Sequence, residues 1–279
     1  MATAPLSRPL AHPEHREDAV TDQTLSRPGA TLAYEVDGTG PIVVQAHGLT
    51  AGRDADLSII DVRGLASRGH RLVRYDAAGH GGSPGSDDPE RYRWPVLADD
   101  LLALLDAVGA DGPVDAVGVS MGTGTILTAA VRHPERFRRL VLALPPTAWD
   151  TRAGQAAMYR QMADLIDEKG WDALTEWMAS SPVALPPVLE ERGVGLQTQL
   201  RPETAATVLR GAALSDLPEP SAIATLRMPV LLLPWAGDPG HPLSTAERLH
   251  ELLPDSELVV AEHAADADTW PEKVAAFLE

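Results

Sequence analysis

Short runs of apolar, mostly β-branched residues recur along the chain at 31–36, 42–46, 71–75, 114–119, 140–144, 230–233 and 258–261. Each is too short for a stable helix, and several are continuous rather than alternating. That combination predicts strands covered on both faces, as in a parallel sheet. Between the runs the period changes. Leu97, Leu101, Leu104 and Leu105 fall at helical spacing and predict a helix over 96–108. Further helices are predicted over 123–131, 244–253 and 271–278, the last with Pro271 in its first turn. Strands alternating with helices predict an α/β fold: a mostly parallel, doubly wound sheet.

The alternation breaks over 149–225. Met158, Met162, Leu165 and Ile166, then Trp171, Leu174 and Met178, keep a helical period, and no strand-like run intervenes. Pro-rich joints at 181–187 and 217–220 divide the stretch. A mostly helical insertion between two strands follows. Residues 1–21 are polar, Pro-containing and aperiodic, so they read as a flexible tail. The predicted organisation is a tail (1–21), a core (22–148 and 226–279) and a helical insertion (149–225). There are no internal repeats.

Composition narrows the function classes. The 279 residues include 23 Lys and Arg against 40 Asp and Glu, a net charge of −17. So acidic a surface repels nucleic-acid phosphates and anionic lipid, and neither is an expected partner. The chain has no cysteine, which excludes disulfides, Cys-ligated zinc and thiol nucleophiles. No apolar run reaches the roughly 18–20 residues of a membrane span, and the first twenty residues lack a signal-peptide core. A cytoplasmic location is expected. Lys169 and Lys273 are the sole lysines, a bias expected of GC-rich bacterial coding.

The strongest chemical signal is Gly118-Val119-Ser120-Met121-Gly122, at the end of one predicted strand and the start of the next helix. A sharp strand–turn–helix bend needs glycine on both sides and lifts the serine hydroxyl above the sheet edge. It also sets that hydroxyl at a helix N-terminus, where free N–H groups favour an oxyanion. His47-Gly48-Leu49 follows the strand 42–46, and the Leu49 N–H would join that of Met121 as an oxyanion-hole donor. Asp76-Ala77-Ala78-Gly79-His80-Gly81-Gly82-Ser83 is turn-rich, and its histidine reads as a structural hydrogen-bonder.

Together these segments resemble the α/β-hydrolase superfamily, over about 26–278. Gly237-Asp238-Pro239-Gly240-His241-Pro242 is similar to the family's acid loop, which makes Asp238 the implied third triad member. The resemblance also implies that 149–225 is a lid over the nucleophile. Serine at position 120 is similar to the esterase, lipase, peptidase and perhydrolase branches rather than those with aspartate at the elbow.

One part of the pattern departs. The family's base is a Gly-His pair beyond the last strand, and the corresponding stretch, Ala264-Ala265-Asp266-Ala267-Asp268, has none. Two histidines are candidates to replace it: His241, three residues after Asp238, first, and His263, in the expected loop, second. The leading expectation is a cofactor-independent enzyme that hydrolyses an ester, thioester or related acyl bond of a small apolar substrate. Half the methionines and half the tryptophans lie within 149–178, which suits an apolar, adaptable pocket. The missing Gly-His keeps two alternatives open: a non-hydrolytic lyase, decarboxylase or cyclase, and a ligand-binding protein. No organic cofactor is expected, and His12 and His15 in the tail read as solvated rather than metal-ligating.

Overall fold

Continuous apolar runs become strands wherever helices can cover both faces. The strands are β1 (Gln23–Arg27), β2 (Ala30–Asp37), β3 (Ile42–Ala46), β4 (Arg71–Tyr75), β5 (Val114–Val119), β6 (Phe137–Ala143), β7 (Val230–Leu233) and β8 (Ser256–Leu258). They come from a computed structural model of the protein, which describes residues 22–55, 59–180, 185–193 and 198–279. The predicted tail, 1–21, lies outside the described residues. All eight strands join one sheet in the order β1-β2-β4-β3-β5-β6-β7-β8. The β1–β2 and β2–β4 pairs are antiparallel and every other pair is parallel.

The sheet divides the core in two because successive side chains point to opposite faces. Val44, Ala116, Leu140, Leu142, Val230 and Leu232 pack on one face. They meet Leu97, Leu101 and Leu104 of α2 (Trp94–Ala107) and Ile126 and Leu127 of α3 (Met121–Arg132). Val43, Val117, Val119, Val141, Leu231 and Leu233 face the other way. They are covered by Leu65 of α1 (Gly64–Ser67) and by Trp270 and Val274, which belong to the C-terminal helix Trp270–Leu278. Full burial of each such side chain contributes about 1.5–3 kcal/mol, which is why apolar residues dominate both faces of the central strands.

The differences from the expected elements have local causes. β1 is an exposed edge strand whose sequence, QTLSR, carries one apolar residue. It is held to the rest by Arg27, whose Nε donates to the buried Asp100 at 3.0 Å while Arg91 donates to the other oxygen at 2.6 Å. β6 begins three residues before the expected 140. Arg138 and Arg139 disguise it, one paired with buried Asp115 and the other donating to the Leu278 carbonyl. β8 is shorter and earlier than 258–261, and Ala261 instead forms an isolated bridge with Trp235.

Between β6 and β7 the described residues form five α-helices: α4 (Arg152–Lys169), α5 (Trp171–Ser180), α6 (Pro187–Arg192), α7 (Ala205–Ala213) and α8 (Pro220–Ile223); the first part of the predicted joint at 181–187 lies outside the described residues. Arg152 ties the start of α4 to the end of α7 and sets both against Trp94 of the core. Its buried guanidinium donates to the Ser215 and Ala212 carbonyls, both at 2.6 Å, and lies 4.7 Å from the Trp94 ring centre. The C-terminal part adds α9 (Leu243–Leu252), α10 (Ala264–Ala267) and α11 (Trp270–Leu278). No helix among the described residues is long and apolar enough to cross a membrane.

Candidate active site

β5 ends in a bend at Ser120, where the backbone turns to φ 52°, ψ −107° before α3 begins. A positive φ on a residue with a side chain costs about 1–3 kcal/mol and persists only under strong surrounding constraint. The constraint is visible. The Ser120 N–H donates to the Ala143 carbonyl at 3.0 Å, and Thr123 Oγ1 donates to the Gly118 and Ala143 carbonyls. Strand and helix also close tightly. A Cβ at Gly118 would lie 2.7 Å from the Gly122 backbone, and one at Gly122 would lie 2.0 Å from the Ala46 carbonyl oxygen. Both glycines are steric requirements. The bend leaves Ser120 half-buried at the C-terminal edge of the sheet.

The facing loop follows β7. Gly237 takes φ 76°, a left-handed conformation natural to glycine, and packs near Pro187 of α6. Asp238 Oδ1 accepts from the Gly240 N–H at 2.8 Å. Its Oδ2 accepts from His241 Nδ1 at 2.8 Å and from the Trp235 indole at 2.7 Å. His241 Nε2 lies 2.7 Å from Ser120 Oγ. Because Asp238 accepts at Nδ1, the neutral ring carries its proton there and presents the Nε2 lone pair to the serine hydroxyl. Burial opposes charge on the Asp238 carboxyl, but the donors from His241, Trp235 and Gly240 outweigh it and hold the group at about 2. Thr147, just after β6, donates its N–H to the Gly240 carbonyl at 3.1 Å and ties this loop to the stem of the insertion.

On the opposite side, β3 runs beside β5 with Ala46 opposite Gly118, so the loop that carries Leu49 leaves the sheet beside the strand that ends at Ser120. Met121 opens α3, so its N–H has no preceding helical carbonyl. Two buried histidines hold the Leu49 loop. His80 Nε2 sits 2.7 Å from the Leu49 carbonyl and its Nδ1 2.9 Å from that of Ala78. His47 Nε2 accepts from the Ala77 N–H at 2.8 Å, so its Nδ1 carries the proton toward the Gly48 carbonyl. Burial, with His80 beside it, pushes the His47 imidazole down to about 3. Asp76 braces the same region by accepting from the Arg53 and Gly82 N–H groups.

Ser120, His241 and Asp238 are thus brought together, and Met121 follows the serine directly at the start of α3. His263, the second candidate for the base, is not. Its side chain is 66% exposed, and its Nδ1 lies 2.8 Å from Glu191 Oε1. It precedes α10, where Glu191 of α6 also accepts from the Ala264 N–H at 2.8 Å. Glu191 raises the affinity of the His263 ring for its proton. Sequence reasoning missed Trp235 and Thr147. Trp235 stands three residues before Asp238, but no spacing rule says which way an indole N–H points; Thr147 acts through its backbone, which leaves no residue-type signal. Among the described residues no group of three or more His, Asp or Glu side chains is arranged to hold a metal ion.

Comparison with known proteins gives the same architecture. A family model described as the alpha/beta hydrolase fold matches residues 41–163. The chain is 33% identical over 122 residues to an uncharacterized hydrolase, YraK, of Bacillus subtilis, a stretch covering 44% of each protein. It is 29% identical over 196 residues to 3-oxoadipate enol-lactonase 2 of Acinetobacter baylyi, covering 68% of this chain and 70% of that one. Among solved structures, a hydrolase from Pseudomonas aeruginosa superposes with a TM-score of 0.72 at 23% identity, covering 93% of this chain and 97% of the other.

Proposed function

We propose that this protein, whose chain has the α/β-hydrolase fold, is a cofactor-independent serine hydrolase of ester, thioester or related acyl bonds in small apolar substrates. One observation carries the reading: the continuous chain of hydrogen bonds from Ser120 Oγ through both nitrogens of His241 to Asp238. A serine hydroxyl is too weak an acid to attack unaided at neutral pH, and an imidazole within 2.6–3.2 Å is the usual remedy.

Ser120 Oγ attacks the acyl carbon while its proton passes to His241 Nε2. The carbonyl π electrons move to oxygen, and the Leu49 and Met121 N–H groups stabilise that oxyanion, each by about 3–4 kcal/mol. Asp238 keeps the ring oriented and balances the imidazolium charge. The imidazolium then gives its proton to the leaving alkoxide or thiolate as the bond to carbon breaks. Water, deprotonated by the same nitrogen, releases the acid and restores the serine. We assign the helices within 149–225 to a lid that excludes bulk water and supplies apolar contacts.

The acyl-bond class is supported by the relative named as an enol-lactonase. The His241 contact supports hydrolysis over the alternatives of a non-hydrolytic enzyme or a binding protein. Turnover of p-nitrophenyl acetate tests the proposal. The expected result is measurable hydrolysis that Ser120→Ala reduces by several orders of magnitude; equal rates in the two proteins would remove the nucleophile and the reading with it.

A further inference from the structure

The acid and the base occupy one short turn, Asp238 to His241, so much of their geometry is local. Gly240 and His241, two of the three donors to the Asp238 carboxylate, belong to that turn and move with it. The third is the Trp235 indole. It is, among the described residues, the donor to Asp238 from outside the turn. Trp235 is 2% exposed, and its backbone bridges Ala261 beyond β8. Its ring stacks on that of Trp270, with centroids 6.3 Å apart and planes 23° from parallel. The direction of the indole N–H is therefore set by the sheet and the core, not by the loop.

We propose that Trp235 is a positioning residue, whose N–H fixes the Asp238 carboxylate relative to the sheet so that His241 is aimed at Ser120. Two converging donors on Oδ2 leave the carboxylate one orientation in which neither is unsatisfied. Without the indole, the carboxylate can turn about its side-chain bonds together with the whole Asp238–His241 turn. The imidazole then spends less time aligned with the hydroxyl, while the acyl pocket is unchanged. The inference rests on the serine-hydrolase reading above and deepens it.

Trp270 provides an internal control. Its own indole nitrogen has no hydrogen-bond partner among the described residues, yet its ring belongs to the same stack. Trp235→Phe and Trp270→Phe thus remove similar ring area from one cluster, but only the first removes a donor to Asp238. On p-nitrophenyl acetate, Trp235→Phe is expected to lower kcat on the order of 10–100-fold, the range for a lost hydrogen bond to a charged group, with KM within about twofold. Trp270→Phe is expected to leave kcat within about twofold. In proton NMR, the far-downfield resonance of the His241 Nδ1 proton should broaden or shift in Trp235→Phe and persist in Trp270→Phe. If Trp235→Phe folds poorly, Trp235→3-benzothienylalanine keeps the bicyclic ring and exchanges only the N–H for sulfur. Equal kcat and an unmoved resonance in both variants would overturn the positioning role while leaving a Ser120-dependent hydrolase intact. Loss of Ser120 dependence in the parent protein would overturn the underlying reading instead.

Discussion

His241 and His263 sit on neighbouring loops at the same edge of the sheet, one after β7 and one after β8, in entirely different surroundings. His241 is mostly shielded, with a carboxylate on one ring nitrogen and the serine hydroxyl on the other. His263 stands in solvent, tied by one nitrogen to an exposed glutamate that strengthens its hold on a proton. The first is placed to exchange a proton with the serine hydroxyl. The second is a surface contact between α6 and α10. Under the proposed mechanism the acid loop carries both acid and base, and the loop after β8, where the family resemblance implies a base, holds a histidine paired with Glu191 instead. In that mechanism a histidine is made catalytic by what its two nitrogens face, not by the loop to which it belongs.

The most severe way to break this contrast is to remove the base. His241→Gln is expected to lower kcat by on the order of 10⁶, the usual loss for the histidine of a working triad. Asp238→Asn keeps the shape but favours the wrong tautomer of His241, and a loss of about 10⁴ in kcat is expected. Steady-state kinetics on p-nitrophenyl acetate measure both.

A third histidine sharpens the contrast through stability rather than rate. His47 is fully buried and neutral, its value lowered from 6.5 in the unfolded chain to about 3. Below pH 6.5 the unfolded chain takes up a proton that the native state refuses, so stability is complete above 6.5 and falls as pH drops toward 3. The slope from this residue is about 1.4 kcal/mol per pH unit. Buried His80, also lowered by its burial, acts in the same direction. His47→Gln, with an amide oxygen to accept the Ala77 N–H, should flatten the slope in urea unfolding across this range. The smallest effect is expected at His263. His263→Gln should leave kcat and KM within about twofold, since exposed ion pairs contribute little.

Much of this was legible in the sequence, for identifiable reasons. β3, β4, β5 and β7 match their predicted bounds because burial on both faces concentrates apolar residues in them. The bend at Ser120 was legible because it tolerates only glycine at 118 and 122. β1 was not, because an edge strand held by the Arg27–Asp100 pair needs no hydrophobic pattern. The choice between His241 and His263 stayed open in the sequence because it depends on the direction of a side chain after a tight turn. Trp235 was invisible for the same reason: its contribution is one N–H vector set by stacking on Trp270.

The most direct measurement is the second-order rate at which a fluorophosphonate labels Ser120, since it reads the activated hydroxyl without any assumption about the natural substrate. The account expects labelling to fall by several orders of magnitude in His241→Gln and to stay at the parental rate in His263→Gln. Parental labelling in His241→Gln, or its loss in His263→Gln, would contradict the assignment of the base.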